Sequence, residues 1–446
     1  MRRSIKPKGA FELKNMKRGM AAVGAAVAAA LVMSGCAPAS EAPSDEPITL
    51  EYFGWVPSLE DAVDVWNEQN PNVQVNLIRT GGEAETNPKI RSAVEAGDAP
   101  CLSQLPLDKV ASYVADGLLE PVTAEAAAVE EQFLPFTWSQ VTLGGETYGI
   151  PQDTGPMVMF YRTDLYEQFG LQPATTWDEY AEQARAVRAA DANRYLGFFG
   201  ADDNLNWSGY AWQGGAKWFS VDGDGWSVGL DDPATLRVAE YWQGLIDEGS
   251  IAATNRWDPA LYTQLVDGTY LTFIGASWNA SLIASNAADS AGKWAIAPMP
   301  TFDDGNASAN AGGSAVVVLK GCEHKQEAVD FATWLNSSED SMNILASPTG
   351  GGLYPAAKAA LEYDVVNQGV EFYGGQNIYE VFRQAAEGVN EDWAWGPTYA
   401  QTATVIVDGF GQMVAGETDL VEIMRNAQQV TLEDMTSRGI NAAPAS

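Results

Sequence analysis

Short apolar runs, each closed by a polar or Gly/Pro-bearing break, recur along the chain, and their spacing predicts an α/β fold. Residues 48–55 (ITLEYFGW) predict a strand. Residues 59–70 predict an amphipathic helix with Ala62, Val65, Trp66 and Gln69 near one side, ended by Pro71-Asn72, and residues 73–78 alternate as a second strand. Strand, helix, strand is a parallel unit, so this part should form a doubly wound sheet that binds ligands beyond the carboxyl ends of its strands. The loops to watch then begin at Trp55, Thr80 and Gln104, the last closing a short buried strand over residues 100–104.

Residues 145–187 carry three kinds of signal in a fixed order. A hairpin turn at Leu143-Gly144-Gly145-Glu146 returns as a short strand, Thr147-Tyr148-Gly149-Ile150, expected to stop at Pro151, which cannot donate to a ladder. Met157 to Tyr161 is a solid apolar run suited to a strand buried on both faces. Between them, Gln152-Asp153-Thr154-Gly155-Pro156 has the composition of a joint between two cores. Thr176-Trp177-Asp178-Glu179 is then a capping box that opens a helix.

Further on, residues 202–226 hold Trp207, Trp212, Trp218 and Trp226, and as core these would need partners for four indole N–H groups. Some are therefore expected to face a ligand. Asp222-Gly223-Asp224-Gly225 lacks the later bidentate Glu of a calcium loop and reads as a hairpin turn. Asp231-Asp232-Pro233 should cap a helix that runs through Trp242 and Leu245. Strands are expected at residues 270–275, 294–300 and 315–319, and the tail from 400 to 438 is mostly helical.

Composition narrows the chemistry. At 446 residues two lobes are expected, and 15 Trp suggest a need for flat apolar faces. The formal charge is −34, and the leader's Arg2, Arg3, Lys6, Lys8, Lys14, Lys17 and Arg18 against Glu12 contribute +6, so the rest of the chain carries −40. Such a surface repels nucleic acid and anionic lipid. The one His, His324, removes most His-dependent catalysis and zinc binding, so no catalytic residue, metal or cofactor is expected. Residues 1–35 read as an export signal, with a basic segment and an apolar run too short to span a membrane stably. Met33-Ser34-Gly35-Cys36 resembles the lipobox of bacterial lipoproteins, with Met33 where Leu is usual, which implies acylation of Cys36 with palmitate-type chains. The alternative is an ordinary cleaved signal with a stray Cys. Residues 36–47, rich in Ala, Pro, Ser and Glu, form the tether.

The phrase Tyr148-Gly149-Ile150-Pro151, the strand ending at Tyr161, the helix start at Asp164-Leu165 and the spacing Pro173 to Trp177-Asp178-Glu179 together resemble one known family. These are the extracellular solute-binding proteins of ATP-driven sugar importers, the class that includes maltose-binding proteins. The resemblance implies a periplasmic-binding-protein-like fold of two lobes, each a doubly wound sheet flanked by helices. Its first lobe would span residues 48–151 and its second 152–312, with a return to the first lobe over 313–348 and a hinge segment over 349–390. C-terminal helices over 391–446 would pack mainly on the first lobe. It also implies a lipid-anchored receptor that captures a sugar and delivers it to ABC importer permease subunits. The receptor would be a monomer on the outer face of the bacterial membrane, touching the membrane through its lipid only.

The ligand residues expected from this reading are Trp55, Gln104 and Asp108 of the first lobe, the last two matching ligand-contacting positions of the family. Asp153 and Thr154 would come from the joint, and Trp207, Trp212, Trp257, Ser277 and Trp278 from the second lobe. Gly312 and Gly313 would let backbone approach the sugar, and Trp395 would add a ring from the carboxyl-terminal part. Arg79, Arg256 and Lys217 are not clustered in sequence, which favours a neutral ligand. Cys101 and Cys322, the thiols left once Cys36 is acylated, are expected to pair in the oxidising exterior, against the alternative of two buried free thiols. Two rival functions are a secreted glycoside hydrolase, with paired carboxylates in an aromatic cleft, and a polysaccharide-binding surface adhesin without a hinge.

Overall fold

A mixed eight-stranded sheet threads both lobes of the chain. The computed structural model describes residues 47–223, 225–302, 307–348 and 350–445, so the leader and Cys36 lie outside the described residues. In the first lobe, Val73–Arg79, Ile48–Gly54 and Leu102–Pro106 run parallel, and the helix Leu59–Gln69 makes the crossover between the first two, as the periodicity predicts. Asn310–Val318 then adds antiparallel to Leu102–Pro106.

The strand Gly149–Arg162 joins the lobes. Its first half pairs with Asn310–Val318, and its second half lies between Thr272–Ala276 and Trp294–Pro298. Alternate residues feed different cores: Met157 and Met159 enter one cluster, Val158 and Phe160 another. The return strand does the same, with Val316 and Val318 on one face and Ala315, Val317 and Leu319 on the other. This period of two is what a sheet covered on both faces requires.

The expected stop at Pro151 is corrected, because the strand runs through it. Pro151 stands opposite Ala315, where the ladder register shifts, so its missing N–H falls at an irregularity. The polar residues that suggested a joint are accommodated inside the sheet by bonds to one another's neighbours. Gln152 Nε2 donates to Asn336 Oδ1 at 3.0 Å, Ser314 donates to Asp153, and Thr154 donates to Asn310.

Local signals elsewhere behave as the sequence suggests, with one variation. Asp232 accepts from the Thr235 N–H at 2.7 Å and starts the helix Pro233–Asp247, and Phe219–Asp222 pairs with Gly225–Val228 as a hairpin. Thr176 accepts from the Glu179 N–H at 3.1 Å, but the Glu179 carboxylate returns to Thr175, not Thr176. A disulfide joins Cys101 and Cys322, with Cα atoms 4.7 Å apart, at one end of adjacent antiparallel strands.

The carboxyl-terminal helices pack on both lobes. Tyr399–Val414 and Leu420–Ser437 send Ile406, Phe410, Ile423 and Met424 into the same core as Phe199, Trp207 and Trp242 of the second lobe. Leu420–Ser437 packs on Pro233–Asp247 of the second lobe, whereas Tyr399–Val414 also packs on the first-lobe helix Leu107–Ala115, where the Ala400 N–H reaches Ser112 Oγ at 3.4 Å.

Candidate functional site

Where the two connecting strands pass between the lobes, buried polar side chains cross-link the sheet. Gln104 Oε1 accepts from the backbone N–H groups of Trp55 and Val56 at 3.1 and 3.3 Å. Its Nε2 donates to Gln152 Oε1 at 2.9 Å and Ser314 Oγ at 3.1 Å. Gln104 is thus saturated, and the expectation that it contacts ligand is corrected: it fixes the loop that carries Trp55. Ser314 donates from N and Oγ to Asp153 Oδ1 at 2.8 and 2.6 Å. Burial pushes the Asp153 carboxyl up to about 6, against the pull of those Ser314 hydrogen bonds.

Gly312 and Gly313 sit beside this network with φ of 80° and 90°. A Cβ on Gly313 would lie 2.8 Å from the Asp153 carbonyl oxygen, so both the conformation and the space require glycine. A Cβ on Gly312 would approach Trp278 Nε1 to 3.2 Å, and one on Gly155 would approach the same atom to 3.0 Å. Trp278 therefore rests on both connecting strands, held by its Nε1 donating to the Ala311 carbonyl at 3.0 Å. Ser277 is fully buried beneath it, its N–H on the Pro156 carbonyl at 2.9 Å.

Trp257 completes the aromatic surface. Its ring lies parallel to Trp278, at 5° between planes and 6.2 Å between centroids, and it is 54% exposed. Among the described residues no other tryptophan is exposed. Asp202 accepts the N–H of Trp257 at 3.3 Å and that of Arg256 as well, fixing the loop. From the first lobe, Asp108 approaches the carboxyl-terminal segment. It is 1% exposed, Lys109 Nζ is 2.8 Å from its Oδ2, and neither carboxylate oxygen receives a well-directed hydrogen bond. Its charge helps burial to hold the Tyr399 hydroxyl above its usual range, and Tyr399 in turn receives Asn204 Nδ2 at 3.2 Å.

Three expected ligand residues are core instead. Trp207 donates to Met424 Sδ at 3.1 Å among Phe199 and Phe410. Trp212 donates to the Asn390 carbonyl at 2.9 Å and stacks on Trp393, and Trp395 packs on Tyr399 at 4.5 Å. Three of the four close tryptophans find the indole N–H partners that a core position needs, since Trp218 also donates to Thr235 Oγ1 at 2.9 Å, and Trp226 is only half-buried. Sequence reasoning missed Gln152, Ser314 and Asn310, which hold the connecting strands, and Arg256 with Asn279, which hold the aromatic pair. For Arg256 a signal existed: a cation directly before an aromatic in the polar, Pro-ended stretch Asn255 to Pro259.

Among the described residues no three His, Cys, Asp or Glu side chains gather as a metal site. A cavity of about 260 Å³ lined by Met157, Ala174, Met299 and Ser308 lies elsewhere in the second lobe and includes none of the expected site residues. Weakly polar rings beside buried hydrogen-bonding groups, with glycine backbone between, suit a ligand that offers both C–H faces and hydroxyls.

A family model described as bacterial extracellular solute-binding protein matches residues 54–342. The lactose-binding protein of Rhizobium radiobacter is 26% identical over 386 residues, covering 82% of this chain and 86% of that one. The galacto-N-biose/lacto-N-biose I-binding protein of the ABC transporter from Bifidobacterium longum, solved with lacto-N-biose, superposes with a TM-score of 0.81 at 27% identity. It covers 89% of this chain and 99% of its own. The ABC transporter associated binding protein from B. animalis subsp. lactis Bl-04, solved with β-1,6-galactobiose, gives 0.79 at 25% identity and covers 89% of this chain and 100% of its own.

Proposed function

Because the chain belongs to the bacterial extracellular solute-binding protein family, we propose that it closes two lobes around a neutral sugar or short oligosaccharide and delivers it to an ABC importer. The observation that carries this reading is the Trp257–Trp278 pair, in which Trp278 is seated on both connecting strands, an aromatic platform at the place where closure would press a ligand. Sugar rings stack their C–H faces on such rings and leave hydroxyls to acceptors at the edge. Asp108 supplies one acceptor, a buried carboxylate short of donors that ligand hydroxyls would provide. Asp153 supplies another, and its Oδ1 is already oriented by Ser314. Trp55 offers a half-buried ring from the first lobe, Gly312 and Gly313 open the backbone, and Thr154 and Ser277 hold the floor.

A neutral ligand is favoured by the state of the cations. Arg79 is paired with Glu60, Lys217 lies 3.5 Å from Asp392, and Arg256 is buried on Asn279 and Tyr262. The named relatives that bind lactose, lacto-N-biose and β-1,6-galactobiose point the same way. We further assign a lipid anchor at Cys36, an outer-face location, permease partners and a monomeric state as parts of the same reading; mass spectrometry of the native amino terminus tests the anchor.

Small-angle X-ray scattering of the mature protein, with and without lactose, β-1,6-galactobiose and arabino-oligosaccharides, tests the function. Compaction with one sugar and its recovery unchanged supports a receptor. Released product would make the chain a hydrolase, and binding without compaction would make it an adhesin.

A further inference from the structure

Beneath the exposed ring of Trp257 lies a charge that is costly to bury. Arg256 is 1% exposed, although its sequence neighbour is the most exposed tryptophan in the chain. Its guanidinium carbon is 4.4 Å from the Trp257 ring centroid and 4.7 Å from that of Phe273, so the cation is packed between two π faces. One nitrogen donates to Asn279 Oδ1 and another to the Tyr262 hydroxyl at 3.3 Å. Asn279 directly follows Trp278, and its own amide donates to the Ala276 carbonyl at 3.0 Å. One guanidinium therefore grips both members of the pair: Trp257 through its ring, Trp278 through the next residue. A fully buried cation is retained at a cost, and here its partners in the site account for it better than stability does, because a hydrophobic filler would pack there more cheaply.

We propose that Arg256 is the positioning residue of the ligand platform, setting the spacing and parallel alignment of Trp257 and Trp278 without touching ligand itself. Arg256 would thereby tune selection among sugars, because the spacing and alignment of the two parallel rings decide how a disaccharide can stack on them. This rests on the sugar-receptor reading for its consequence, but the positioning itself has a ligand-free readout. Asp203 is buried near Arg256 with its Oδ2 receiving no hydrogen bond; burial pushes its carboxyl up while the Arg256 charge pulls it down, so it is the counter-charge that Arg256 holds in the site.

The test uses the mature chain labelled with 5-fluorotryptophan, the Trp257 ¹⁹F resonance being assigned by its loss in Trp257→Phe. Arg256→Lys keeps the charge but loses the planar fork, and Arg256→Met with Asp203→Asn removes the charge together with its counter-charge. In a folded variant the Trp257 resonance should move toward the free-indole position and sharpen, while the core tryptophans stay in place. An unmoved Trp257 resonance in both variants overturns the proposal. The second arm measures affinity for lactose and β-1,6-galactobiose by calorimetry. Arg256→Lys should weaken binding by roughly 2- to 30-fold in the native background and by less than about 2-fold when Trp257 is already Ala. Equal losses in both backgrounds would show that Arg256 acts other than through Trp257 and would overturn it. If neither sugar binds the unsubstituted protein, the ¹⁹F arm alone decides the positioning role, and the sugar reading fails separately.

Discussion

Trp207→Ala and Trp278→Ala should fail in different ways, although both remove an indole from the second lobe. Trp207 is enclosed by Phe199, Phe410 and Met424, so its loss should lower unfolding stability by about 3 to 5 kcal/mol in a denaturant melt. Trp278 is half-buried on the connecting strands, so its loss should cost about 1 to 3 kcal/mol of sugar affinity and about 1 kcal/mol of stability for the Ala311 bond. Sequence could not separate the two, because residue type is the same and the helix Asn204–Gln213 is buried nearly all round, with no polar face to mark the inner side. The residue scale also holds a pH effect. Asp153 titrates near 6 when folded against an ordinary value near 4, so its contribution to stability is full below about pH 4 and lost as pH rises through 6. Asp153→Asn should therefore gain stability relative to the native protein between pH 4.5 and 7.5, by on the order of 2 kcal/mol, seen as a growing difference between paired melts. A constant difference would assign the raised value wrongly.

Among the elements, the connecting strand Gly149–Arg162 shows how far pattern reading reaches. Its two apolar halves and the crossing between lobes were legible from Ile150 and Met157 to Tyr161, but its continuity was not. Continuity depends on Gln104, Asn310, Ser314 and Asn336, side chains distant in sequence that satisfy Gln152, Asp153 and Thr154 inside the sheet. The return strand is equally constrained at Gly313, where φ of 90° meets a carbonyl oxygen 2.8 Å from any Cβ. Gly313→Ala should destabilise the fold by at least about 1 to 2 kcal/mol and weaken ligand binding with it, measured by melt and calorimetry on one sample. The disulfide pins the far end of the same strand to Leu102–Pro106 across 221 residues of sequence. Cys101→Ser with Cys322→Ser should cost roughly 3 to 5 kcal/mol, and thiol titration of the unfolded, unreduced native protein should find no reactive Cys101 or Cys322.

For the whole molecule, the acidic composition, the pairing of Arg79 and Lys217 with carboxylates and the two-lobed sheet all fit the proposed receptor for an uncharged ligand. The order of segments made the architecture readable, whereas the C-terminal helices could not be assigned to a lobe from sequence, since their apolar stripes fit either lobe until the tryptophan-rich core of the second is seen. Isothermal titration of the mature chain with lactose and β-1,6-galactobiose, repeated on Trp257→Ala, tests the central claim most directly. Saturable one-to-one binding of a neutral sugar, weakened by roughly 5- to 100-fold in Trp257→Ala, is the predicted result. Heat that continues as turnover, or an affinity indifferent to Trp257, would contradict it.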